Sequence, residues 1–125
     1  ESGFHVNMED SQAAMRDGSI FEYCKLHDVI IQAWSVLQFG YFKGNFVGNE
    51  KFQQLNQVLN RLALKYSVSP SAIAIAWVLR YPAKMQAVVG TTNPKHLIEA
   101  SQASKVNLTR KEWYEIYLAA GNDLP

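Results

Sequence analysis

From position 49 onward apolar residues recur every three or four places. Phe52, Leu55, Leu59, Leu62, Ala63 and Tyr66 fall on one stripe, and Lys51, Gln53, Gln57 and Arg61 face the other way. This 3.6-residue period predicts an amphipathic helix that packs on a neighbour. The triplet SVS breaks it. Ser69 and Pro70 then supply an N-cap and a first-turn proline for a second helix over 72–81, apolar nearly all round and therefore expected to be buried. Tyr81-Pro82 ends that helix, and QAVVG, residues 86–90, has the β-branched character of a short strand. Asn93 and Pro94 repeat the cap-plus-proline start for a helix to about Ser104. Thr109 with Glu112 forms a capping box for a last helix bearing Trp113, Ile116, Tyr117 and Ala120, with Gly121 as its stop.

The pattern upstream is less regular. Residues 1–16 keep no period, so 1–17 reads as an irregular lead-in. Ser19 and Glu22 make a capping box for a short helix with Ile20, Tyr23, Cys24 and His27 on one face, ending near Asp28. VIIQAWS, residues 29–35, is too short and too β-branched for a helix and reads as a buried strand. In residues 37–49 three glycines, Gly40, Gly44 and Gly48, alternate with aromatics and defeat both periods. Loops beyond about 12 residues usually serve a function or move.

Strand, helical crossover, strand, helix is the order of a parallel α/β arrangement. Two strands with about five helices make a helix-dominated unit, and a parallel sheet normally needs more strands with both faces covered. The count is that of a part of a larger architecture. The chain opens at Glu1 rather than at a methionine, in keeping with a piece of something longer.

Composition narrows the function classes. The 125 residues carry 12 basic and 11 acidic side chains for a net charge of +1, with 48% hydrophobic and 18% charged residues. This is ordinary globular composition, without the long-range field that nucleic acid or an anionic membrane surface calls for. The longest apolar run, residues 72–79, falls far short of the roughly 20 residues that cross a bilayer. A single cysteine, Cys24, allows no internal disulfide, suits a reducing compartment, and reads as a buried helix residue. A cytoplasmic protein is expected.

Candidate chemistry gathers at the two strand ends. In VVGTTNPKHLIEA, residues 88–100, the apolar run stops at Gly90, which lets backbone approach a ligand closely, and Thr91 and Thr92 offer hydroxyls. The helix beginning after Asn93 turns N–H groups outward, and its dipole favours a phosphate. Lys95 and His96, in the helix's first turn, can add positive charge, His96 only partly so at neutral pH. The simpler reading is a connection that only caps its helix. At the first strand's carboxyl end, Trp34 and Ser35 precede the glycine-rich loop and can form an aromatic wall and a polar anchor for a flat ligand. A core role for the tryptophan is the alternative. In a parallel sheet both ends lie on one rim.

These residues carry a resemblance. AWSVLQFG is similar to the seventh strand of aldo-keto reductases, and VVGTTNPKHLIEA to their eighth strand and phosphate-binding loop. The spacing through SPSAIAIAWVLRYP agrees, and the resemblance, closest to the bacterial oxidoreductase branch, runs from Gly18 to Pro125. It implies that residues 1–125 form the C-terminal fragment of a (β/α)8 TIM barrel, from a reductase of aldehydes and ketones that uses NADP, with NAD as the alternative. Trp34 would stack on the nicotinamide, and Ser35, Val36, Leu37 and Phe39 would line the pyrophosphate. Gly90, Thr91, Thr92 and Asn93 would hold the adenosine 2′-phosphate, with Lys95, His96, Glu99 and Ala100 around the adenine end.

The sequence departs from the family pattern at three of these positions. Val36 replaces a proline, Gly90 stands where many members have lysine, and His96 takes the place of a common arginine, whose fixed bidentate clamp a histidine does not reproduce. The acid tyrosine of the family and its aspartate, lysine and histidine partners belong to earlier strands with no counterpart here. Tyr23, Tyr66, Tyr81, Tyr114 and Tyr117 fall on predicted helices and Tyr41 in the loop. No residue is assigned a catalytic role, and the piece alone is expected to be inactive. No metal site is expected either: His5 and His27 lack a second ligand at workable spacing.

Two rival functions remain. Residues 62–80 resemble a helix-turn-helix DNA-binding module, but the second helix presents Ile73, Ile75, Trp77, Val78 and Leu79 instead of base-reading side chains. The other is a non-catalytic, self-associating interaction domain, since two open strand edges recruit other chains.

Overall fold

The computed structural model describes residues 19–40 and 43–123, so the lead-in 1–17, His5 and Tyr41 lie outside the described residues. In chain order the elements are α1 (Ser19–Leu26), β1 (Ile31–Ala33), a 3-10 turn (Glu50–Phe52) leading into α2 (Gln53–Tyr66), α3 (Pro70–Leu79), β2 (Met85–Ala87), α4 (Pro94–Ser101), a second 3-10 turn (Gln102–Lys105) and α5 (Arg110–Ala119). The two strands pair in parallel with Ile31 opposite Met85 and Ala33 opposite Ala87. This is the expected α/β order, five helices and two short parallel strands.

The core lies between α2 and α3. Leu59, Leu62 and Ile73 are wholly buried, and Leu55, Ala63 and residues 72–76 join them. The stripe read on α2 therefore faces inward. α2 ends where Ser67 turns left-handed (φ 54°), its N–H bonded to the carbonyls of Ala63 and Leu64. Ser69 then caps α3 by accepting from the Ala72 N–H at 3.1 Å, and the two helices meet at 93°. That angle suits a helix-turn-helix, but five consecutive residues of α3 are buried, so its middle turns offer no face to a DNA groove. No single described helix is long and apolar enough to cross a membrane.

α5 closes the other side. Trp77 and Trp113 stack with ring centroids 4.7 Å apart, and each indole N–H donates to the other residue's backbone carbonyl at 3.0 Å. The capping box is present, and its Glu112 does more than cap. This buried carboxylate accepts from the Thr109 N–H (2.8 Å) and hydroxyl (2.9 Å), from the Tyr66 hydroxyl (2.8 Å) and from Lys65 Nζ (2.5 Å), tying α5 to α2. Burial alone would raise the Glu112 pKa. The donors from Lys65, Thr109 and Tyr66 outweigh it and hold the carboxyl at about 2.

Several expected boundaries shift. The first strand is Ile31–Ala33 rather than 29–35, because Ser35 adopts φ 54° and turns the chain out of the extended region. The second is Met85–Ala87 rather than 86–90, since pairing lasts only as long as its partner strand. α3 starts at its proline and stops at Leu79, which leaves Tyr81 beyond the helix, and the helix expected to reach Ser104 tightens to 3-10 geometry after Ser101. On α1 the expected face points the other way: Ile20 and Tyr23 are exposed, Cys24 is only half-buried, and Phe21 is the buried residue, its ring 4.4 Å from that of Tyr81. Among the described residues, this aromatic contact ties the helix to the turn after α3.

Candidate functional site

Parallel pairing sends both carboxyl ends to one rim, and the ladder reaches one residue past the strands: the Val88 N–H donates to the Ala33 carbonyl at 2.8 Å. Trp34 and the segment 88–93 therefore leave the sheet side by side. Side chains alternate across the two strands. Ala87 and Val89 pack on the core, whereas Gln32 and Gln86 are exposed on the opposite face and share a 3.2 Å hydrogen bond. Trp34, two residues beyond Gln32, is 66% exposed, so it is a rim residue and not a core one.

Beyond Trp34 the chain turns sharply. The left-handed Ser35 offers its carbonyl to the Gln38 N–H at 2.9 Å, and Val36, Leu37 and Phe39 pack partly buried against the core. The loop expected to be irregular folds back on itself. Gln38 and Asn45 form an antiparallel bridge, the Phe39 N–H meets the Gly44 carbonyl, and the Phe46 N–H meets the Leu37 carbonyl, both at 3.1 Å. The ring of Phe39 lies 5.1 Å from that of Phe52.

After β2, Gly90 is open, and a Cβ there would meet nothing within 4 Å. The Thr91 hydroxyl accepts from the Asn93 N–H at 3.1 Å, and the Asn93 side chain accepts from the Lys95 N–H at 3.0 Å. The Leu97 N–H goes to the Asn93 carbonyl and Pro94 has none, so two of the outward donors expected here already hold the cap together. What faces outward is the exposed set Thr92, Lys95 and His96, with Thr91 half-buried beside them. Glu99 is half-buried one turn on, and Ala100 belongs to the buried core. A nicotinamide dinucleotide fits this rim in kind: one flat aromatic face, one unobstructed stretch of backbone and a small basic cluster.

Two features were not read from the sequence. Asn56, buried within α2, bonds the loop's return, and its signal was a polar residue one turn after Phe52 on the apolar side. Lys65 and Tyr66 meet Glu112 from a different helix, and no local spacing announces that. Among the described residues no group of three or more His, Cys, Asp or Glu is placed to hold a metal ion. His27 is exposed, its ring 4.3 Å from that of Tyr23. An open cleft of about 350 Å³ lined by Cys24, Asp28, Pro82 and Lys84 adjoins the opposite, amino-terminal ends of the strands.

The model of the aldo/keto reductase family matches residues 8–119. The chain belongs to the aldo-keto reductase family. Among curated relatives it is 37% identical over 94 residues to a 6-dehydroglucose reductase of Agrobacterium fabrum, covering 74% of this chain and 30% of that protein. It is 29% identical to oxidoreductase YdhF of Escherichia coli over 116 residues, 91% of this chain and 37% of that one. It thus spans about a third of the length of these relatives. The fold matches the thermostable aldo-keto reductase Tm1743, crystallised with the inhibitor epalrestat, with a TM-score of 0.65 at 24% identity over 89% of this chain and 36% of that one. The two strands and five helices thus correspond to part of an aldo-keto reductase barrel.

Proposed function

We propose that the chain carries much of the nicotinamide-cofactor site of a reductase acting on aldehydes or ketones, as the seventh and eighth strands of its barrel with the helices that follow. The observation that supports this best is the shared rim, where the Val88 to Ala33 hydrogen bond keeps Trp34 beside the Gly90–Thr92 segment. On this reading Trp34 gives its exposed face to the nicotinamide, and Ser35, Val36, Leu37 and Phe39 line the pyrophosphate. Thr91, Thr92, Lys95 and His96 hold the adenosine 2′-phosphate, Gly90 and Asn93 shape the turn, and Glu99 and Ala100 back the adenine end. The cofactor supplies hydride when bound, and these residues bind and orient it. NADP is the preferred form, NAD the alternative.

Proton donation to the carbonyl is assigned to no residue of this chain. Tyr66, held by a carboxylate and close to a lysine, lies in α2, and its hydroxyl is spent on Glu112 and the Asn107 carbonyl. Burial first, and the bond to Glu112 next, raise its pKa, the wrong direction for a group that must release a proton readily. Titration of the 125-residue chain with NADPH, followed by quenching of tryptophan fluorescence, should give saturable binding that Trp34→Ala weakens, with no turnover of a simple aldehyde. Absence of saturable quenching refutes the cofactor site, and steady NADPH oxidation with aldehyde refutes the assignment of no acid. The same reading includes self-association, favoured by the exposed Ile20, Tyr23 and Leu26 of α1 together with Val29 and Ile30 before β1.

A further inference from the structure

We infer that Asn56 is a positioning residue for the cofactor side of the rim, acting through the backbone of the loop between β1 and α2; the inference rests on the cofactor reading above. Asn56 is 8% exposed and sits in α2 between the buried Leu55 and Leu59. Its Nδ2 donates to the carbonyls of Phe46 (2.9 Å), Asn49 (3.1 Å) and Phe52 (3.0 Å), and its Oδ1 accepts from the Gly48 N–H at 2.8 Å. Two N–H groups thus serve three acceptors. Such a pattern needs an amide of this length: aspartate offers no donor when ionised, leucine offers neither function, and glutamine carries its amide one methylene farther from the backbone.

The contacts continue to the rim. Phe46, whose carbonyl Asn56 holds, gives its own N–H to the Leu37 carbonyl at 3.1 Å, and Leu37 lies three residues after Trp34. Phe39 is fixed by its N–H bond to Gly44 and by its ring against Phe52, at whose carbonyl Asn56 also donates. Gly48 aims its N–H inward with φ 76°, a conformation natural to glycine. A core-anchored side chain therefore sets the backbone of the two residues, Leu37 and Phe39, proposed to line the pyrophosphate. An ordered loop spares the cofactor the cost of ordering it. Asn56 is assigned no contact with the cofactor and acts through that backbone.

The test uses Asn56→Asp, which keeps the size and the acceptor and removes both donors. Amide hydrogen exchange should accelerate tenfold or more at Phe39, Phe46 and Gly48 while the amides of Leu59, Leu62 and Ile75 keep their protection. NADPH affinity should fall about tenfold, the equivalent of one buried hydrogen bond. Unchanged affinity in a variant that binds NADPH overturns the inference alone, and so does loss of protection spread evenly over the helices, which marks a residue of general stability. A wild-type chain that binds no NADPH overturns the cofactor reading and this inference with it. If the variant does not fold, wild-type exchange decides: protected Phe46 and Gly48 amides support the clamp, and freely exchanging ones overturn it.

Discussion

Replacing Glu112 with glutamine isolates the charge at the junction of α2 and α5 while leaving its shape. In the native chain Oε2 collects three donors, the Thr109 N–H, the Thr109 hydroxyl and the Tyr66 hydroxyl, and Oε1 takes Lys65. A glutamine oxygen in the Oε2 position keeps the first three as neutral bonds, which are about half as strong as charge-assisted ones. Its NH2 then faces the Lys65 ammonium, which is 53% exposed and free to swing into water. The carboxyl's descent from 4.5 to about 2 sets a ceiling of about 3 kcal/mol at 1.36 kcal/mol per pH unit. Solvent access to the site reduces this to about 1–2 kcal/mol. Because the folded pKa lies below the ordinary one, this stabilisation is full above about pH 4.5 and is lost as the pH falls through about 2. Urea unfolding of both proteins from pH 7 to pH 2 should therefore give a variant less stable by about 1–2 kcal/mol at pH 7, with the gap closing in acid. Other carboxylates cancel in the difference. No gap at pH 7, or a gap that stays constant down to pH 2, would refute the ionised Glu112 carboxylate as the stabilising group.

His96→Arg should raise affinity for NADPH about tenfold with little change for NADH, because an exposed guanidinium can clamp the 2′-phosphate bidentately where imidazole cannot. An equal gain for both cofactors in fluorescence titration would move the phosphate elsewhere. Sedimentation should give a mass above 14.1 kDa that rises with concentration, and Leu26→Glu, at a residue 80% exposed on α1, should lower it. A wild-type chain that stays monomeric at high concentration removes self-association.

Elements held together by local chemistry were legible in the sequence. The α2 stripe, the serine and proline that start α3, the Asn93 cap and the Thr109–Glu112 box each depend on residues within one or two turns, and spacing reports them directly. Features set by distant partners were not. The face of α1 that turns inward is the one carrying Phe21, whose ring meets that of Tyr81 sixty positions away, a contact that local spacing does not announce. The strands were read too long because β-branched runs continue past the three residues that find a partner. Pairing, not propensity, ends a strand.

The same division runs through the site. Parallel order alone placed both strand ends on one rim, which is why Trp34 and the Gly90–Asn93 turn were legible as neighbours. How strongly that rim grips an anion was not, because spacing counts donors without counting which are already engaged. Asn93 takes the Lys95 N–H and Thr91 the Asn93 N–H, so the cap that starts α4 consumes part of what a phosphate would use. On the proposed reading, binding leans on the side chains of Thr92, Lys95 and His96 and on a loop ordered in advance. With no lysine at position 90 and no arginine at 96, the proposed site has preorganisation to draw on more than fixed charge. On that reading a buried asparagine in α2, far along the chain from either motif, bears on cofactor binding through the loop it orders.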